Sequence, residues 1–230
     1  MLSMMLALAS PAPSQAPSPD TTLPEIGRVR AVTPACSVLH DLVLPAAQIS
    51  RRADTRFLDV AKRLPDYVQS VSSDPEGRTS PLVEMRLSRL DQTTSLIVRD
   101  VGEMAKILAD PRLAPDSGDP LVRQERAALQ RMYEAQMTRV SNISEFVARQ
   151  GAANGRAEVD QLAAQSGQPT PSPTPLPFAS SAPDNLPTLT GIDLRDAEAF
   201  RGWSQDLTAI VRRSEVDAAR SLGPIARVCE

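Results

Sequence analysis

From Val83 to Leu108 the chain returns Val83, Leu87, Leu90, Thr94, Ile97, Val101, Met104 and Leu108 to one helical face, in unbroken steps of four and three. That rhythm is a heptad seam. Ser80-Pro81 opens the stretch as a cap residue followed by proline in the first turn, and Asp110-Pro111 stops it. A helix of about 28 residues is roughly 42 Å long, the scale of a bundle element.

Three further segments read as helices. Thr33-Pro34 opens the first, whose inner positions are Leu39, Leu42, Ala46, Ile49, Ala53, Phe57, Val60 and Leu64, with Pro45 a kink and Pro65 a bend or an end. Asp119-Pro120 opens the third, with Leu129, Tyr133, Gln136, Val140, Ile143 and Val147 on its inner face, and Gln136 is the single polar break. Its pattern fades after Gly151. The fourth starts near Asp193, presents Phe200, Trp203, Leu207 and Ile210, and is expected to end at Gly223-Pro224.

These segments define the expected organisation. Residues 1–9 form a leader, residues 10–32 a Pro-rich disordered tether, residues 33–164 the first three helices, residues 165–192 a Pro-rich linker, and residues 193–230 the fourth helix. Repeated proline without an apolar face cannot pack, so tether and linker are expected outside the core. The first two connections are short and enforce antiparallel neighbours. The expected fold is therefore all-α: an antiparallel up-down-up-down four-helix bundle with its long connection between helices three and four.

The opening MLSMMLALA is apolar and ends in the small-x-small pattern Ala7-Leu8-Ala9, a site that a signal peptidase can cut, although it lacks a basic leading stretch. Export to a periplasmic or extracellular compartment is the expectation. It has no run long enough to cross a bilayer. In that compartment an even cysteine count is read as a disulfide, and Cys36 and Cys229 would meet at one pole of the alternating bundle. The topology and the bridge predict each other.

Composition narrows the function. With 25 basic and 28 acidic residues the chain carries a formal charge of −3, no field for nucleic acid or anionic lipid. All the basic residues except Lys62 and Lys106 are arginine. One histidine, His40, would have to serve every imidazole-dependent scheme, and no GxSxG, P-loop or dinucleotide fingerprint occurs. No enzyme activity and no cofactor are expected. Asn142-Ile143-Ser144 fits a glycosylation triplet but falls on a helix seam, which makes it a coincidence of spelling.

The first functional expectation is an exported, non-catalytic interaction or scaffold module with a protein partner. A second is a carrier or sensor of small apolar ligands, since Phe57, Phe146, Phe200 and Trp203 fall toward the pole opposite the cysteines and either plug it or line a pocket there, with Phe178 a further candidate. A third is metal handling by Cys36, His40 and Cys229, which a disulfide would exclude. The seam of the second helix also offers a surface for a homo-oligomer.

Overall fold

The computed structural model describes residues 22–73, 79–166 and 187–230. The expected leader, most of the tether, and residues 167–186 of the linker with Phe178 lie outside the described residues. Four long helices pack against one another, and no strand occurs among the described residues.

Each cap-and-proline pair read from the sequence starts a helix. Helix α1 (Pro34–Val38) begins after Thr33, whose Oγ1 accepts from the Cys36 N–H. Helix α3 (Pro81–Leu108) begins after Ser80, which caps Val83. Helix α4 (Pro120–Ser166) begins after Asp119, whose Oδ1 accepts from Leu121 N–H at 2.9 Å. These side-chain oxygens satisfy first-turn N–H groups that have no carbonyl behind them. Helix α5 (Ala197–Cys229) starts slightly later than expected, with Asp196 bonding the N–H groups of Glu198 and Ala199.

None of the prolines inside the helices ends its helix, whereas the sequence has Gly223-Pro224 as a stop. Helix α1 continues through a widened π stretch (Leu39–Val43) into α2 (Leu44–Ser73), and Leu44 N–H bonds the Leu39 carbonyl. Pro45 lacks an N–H and crowds the carbonyl four residues back, and the widened turn just before it absorbs that misfit. Pro65 and Pro224 are both passed over without ending their helices. In α5 the turn beyond Pro224 buries Ile225, Ala226 and Cys229, so packing offsets the missing backbone bond. Helix α4 likewise runs past Gly151 to Ser166.

Helix α2 is central and touches α3, α4 and α5; α4 also touches α3 and α5. Along the α2–α3 seam Arg52 meets Asp100, while further along α2 Asp66 and Ser70 meet Arg86. Between α4 and α5, Arg131 reaches Ser221 and Arg139 reaches Ser214. Cys36 and Cys229 are joined in a disulfide with their Cα atoms 5.4 Å apart. The core falls into two apolar clusters, one holding the cystine and the other holding Phe57, Phe146, Phe200 and Trp203.

Ordered structure extends into both Pro-rich regions. Ile26–Arg28 makes a single 3-10 turn, Val29 is buried against the cystine cluster, and Arg30 N–H bonds the Cys229 carbonyl at 2.8 Å. Leu189–Gly191 makes another such turn, with Leu189 buried. One buried aliphatic residue in each stretch pins the backbone where proline density alone predicts none.

Candidate functional site

The polar break in the third seam is the starting point. Gln136 is 1% exposed on α4 and faces α2, where its amide nitrogen donates to Ser50 Oγ at 2.9 Å, to the Ser50 carbonyl at 3.2 Å and to Asp54 Oδ1 at 2.8 Å. Three acceptors fix which end of the amide is nitrogen. Its Oε1 is buried with no hydrogen-bond partner.

One turn on, the Arg139 guanidinium donates to Asp54 Oδ1 and, at 2.7 Å, to Ser214 Oγ of α5. The side chains of this ion pair are 2% and 5% exposed. Burial raises the Asp54 carboxyl to about 6, Arg139 and Gln136 hold it from rising further, and the nearby Glu215 charge adds to the rise. Burial also pulls Arg139 below its ordinary value. Asp54 is therefore ionised at neutral pH and paired, at a desolvation cost that the pairing only partly offsets.

Above this polar floor lies a cavity of about 230 Å³ between α2, α4 and α5. Ser50, Asp54 and Gln136 form its polar side, Ala47, Met132 and Ala218 are among its apolar walls, and Leu23 from the described end of the tether closes one side. At the mouth, Arg51 lies 4.0 Å from Glu215, with 61% and 38% of those side chains exposed. Arg131 and Asp217 also border it, both exposed.

Two other buried polar groups serve the scaffold. Asp100 is 0% exposed and accepts from Arg52 at 2.8 Å and from Arg56, joining α3 to α2. Asn142 bonds the Pro187 carbonyl at 2.6 Å and the Leu189 N–H at 2.9 Å, and the Trp203 indole N–H donates to the same Pro187 carbonyl. Both ends of that amide are therefore engaged in fastening the segment before α5 to α4. Glu125 is different: it is 0% exposed, both its oxygens lack partners, and burial pushes its carboxyl up to about 8.

The expected site residues are distributed as follows. Cys36 and Cys229 are consumed in their disulfide, so the metal reading through Cys36, His40 and Cys229 loses both thiolates; His40 instead holds Asp41 at 2.7 Å on the surface. Among the described residues no group of three or more His, Cys, Asp or Glu is arranged to hold a metal. Phe57, Phe146, Phe200 and Trp203 are 0–3% exposed; Phe146 meets Phe200 edge-on at 5.9 Å and Tyr67 meets Phe146 at 6.4 Å. None of the four lines the cavity over Gln136. Asp54 and Glu215, which line the cavity, and Arg139, which pairs with Asp54, were not singled out by the sequence pattern.

No family model, curated protein or solved structure gives a match to this chain.

Proposed function

We propose that this protein is an exported, non-catalytic helical module that works by binding, built as an antiparallel up-down-up-down four-helix bundle whose first and last helices are stapled together. The observation that carries this reading is the Cys36–Cys229 disulfide, which ties the start of α1 to the end of α5. Such a bond persists in an oxidising compartment and not against cytosolic thiols. The apolar opening of the sequence and its Ala7-Leu8-Ala9 pattern support the same compartment. No described helix is long and apolar enough to cross a membrane.

Binding is favoured over chemistry by where the ionisable groups are spent. Asp100 and the Asp54–Arg139 pair are used in fastening helices together. The exposed faces of the four helices are left to meet a protein partner.

Expression of the full chain in a bacterial host with an oxidising periplasm tests the compartment. The expected result is periplasmic protein cut after Ala9, with a mass two hydrogens below the reduced form. Recovery of uncut, reduced protein from the cytoplasm overturns it. Crosslinking in the native compartment tests the binding half: a defined partner adduct is expected, and turnover of a substrate by the purified chain would replace this reading with an enzymatic one.

A further inference from the structure

We infer that the groove between α3 and α4 is the docking surface for an amphipathic helix of the partner, one that carries lysine or arginine on both flanks of an apolar stripe. The inference rests on the binding reading above and names its surface and the chemistry of its partner.

Leu87 of α3 and Val147 of α4 form the floor of the groove, and the space over them is about 460 Å³. That is room for several side chains rather than for one ion. Three exposed carboxylates line it, Glu84 and Asp91 on α3 and Glu158 on α4, and no basic residue does. Among the described residues none of the three has a side-chain partner. Arg86, on the same stretch of α3, is turned to α2, where it donates to the Asp66 carbonyl and to Ser70, and Arg149 of α4 pairs with Glu145. Arg89 and Arg156 are exposed and lie outside the lining. The charges that line the groove are therefore all of one sign.

Two glycines make the recess. Gly151 and Gly155 line the groove one turn apart in the interior of α4, both exposed, and a Cβ at either meets nothing within 4 Å. Glycine is a poor helix former, and nothing inside the described chain asks for it there. The missing side chains leave the α4 backbone open to close approach from outside. Leu162, seven residues past Gly155 and so on the same face, is exposed and extends the apolar stripe.

Charge and geometry select the occupant. No group of three or more His, Cys, Asp or Glu among the described residues is arranged to hold a metal, so these carboxylates suit cations that are spread out. Glu84 and Asp91 are two turns apart, about 10.5 Å along α3, which matches cations at i and i+7 on a helix lying alongside, and Glu158 meets its other flank. A second copy laid groove to groove would set carboxylates against carboxylates, and like charges suppress that pairing. An extended peptide finds no sheet edge to join, since no strand occurs among the described residues; a helix buries its apolar stripe without one.

The test is fluorescence anisotropy at low salt of a labelled helical peptide of about 18 residues, five turns, with leucine and alanine on one stripe and lysine on both flanks, titrated with the full chain. Its counterpart carries glutamate in place of every lysine. Saturable binding is expected for the lysine peptide and none for the glutamate one. Glu84→Gln/Asp91→Asn/Glu158→Gln is expected to weaken binding about tenfold. Asp160→Asn/Asp206→Asn/Asp217→Asn, the same change of charge at exposed positions outside the groove, is expected to leave it within about twofold. Gly155→Leu fills the recess with a better helix former and is expected to weaken binding about tenfold or more while the helical spectrum stays the same. Four results overturn the inference: no saturable binding of the lysine peptide; equal binding of the glutamate peptide; an equal loss in the two triple variants, which marks attraction by net charge alone; or undiminished binding by Gly155→Leu. Each of them leaves untouched the crosslinking result on which the binding reading stands.

Discussion

Glu125 is a carboxyl that folding removes from water without giving it a partner, so its proton is part of the folded structure. Its ordinary value is 4.5 and burial raises it to about 8. Below about pH 4.5 both folded and unfolded chains hold the proton. Between there and about pH 8 only the folded chain keeps it, so stability falls as pH rises through that window and levels off above it. Asp54 has the same sign in a lower window, from 3.8 to about 6. Urea denaturation across pH 4 to 9 is expected to show this decline. Glu125→Gln removes the upper part of the slope and is expected to be more stable than the parent at pH 8, on the order of a few kcal/mol. An unchanged slope in that variant means the carboxyl is already solvated.

Among the elements, α4 holds the segment that leads into α5 through one side chain. Asn142→Ala strands the Leu189 N–H and leaves the Pro187 carbonyl with the Trp203 indole as its remaining bond. The expected cost is about 1–3 kcal/mol, with faster hydrogen exchange at Leu189. Asn142→Asp separates the two roles, because a carboxylate accepts from Leu189 but cannot donate to Pro187. The α2–α3 junction makes a parallel case: Asp100→Ala removes the acceptor shared by Arg52 and Arg56 and is expected to cost about 2–3 kcal/mol in thermal or urea melts.

The helix starts were legible because Thr33, Ser80 and Asp119 each precede a proline, a local signal that packing does not override. The inner face of α3 was legible for a related reason: it packs mainly on two long helices, α2 and α4, and one stripe is enough. Helix α2 packs on three, so a second stripe is buried beside the apolar one, with Ala47, Ser50, Asp54 and Ala61 on it. Half of the cavity floor sits on that stripe. Reading one face per helix hid Asp54 for this reason, and hid Arg139 on the second stripe of α4, while Gln136 stood out only as an anomaly. Pro224 misled because a proline signal is local and the burial of Ile225 and Cys229 is not.

Over the whole molecule, the bond between Cys36 and Cys229 spans 193 positions. Chain-entropy reasoning makes a link of that span worth about 5 kcal/mol at most, through the freedom it removes from the unfolded chain. The Cys36→Ser/Cys229→Ser double variant is expected to keep its helical spectrum at room temperature and to melt many degrees lower. If it melts with the parent, the unfolded chain is already as confined without the link.

The same bond closes the polypeptide into a covalent hoop, entered at residue 36 and left at residue 229. A protease that severs any one peptide within the hoop opens it without releasing a fragment, since both halves still hang from the cystine. Nicked protein would travel as a single species until a reductant is added, and would then separate into two.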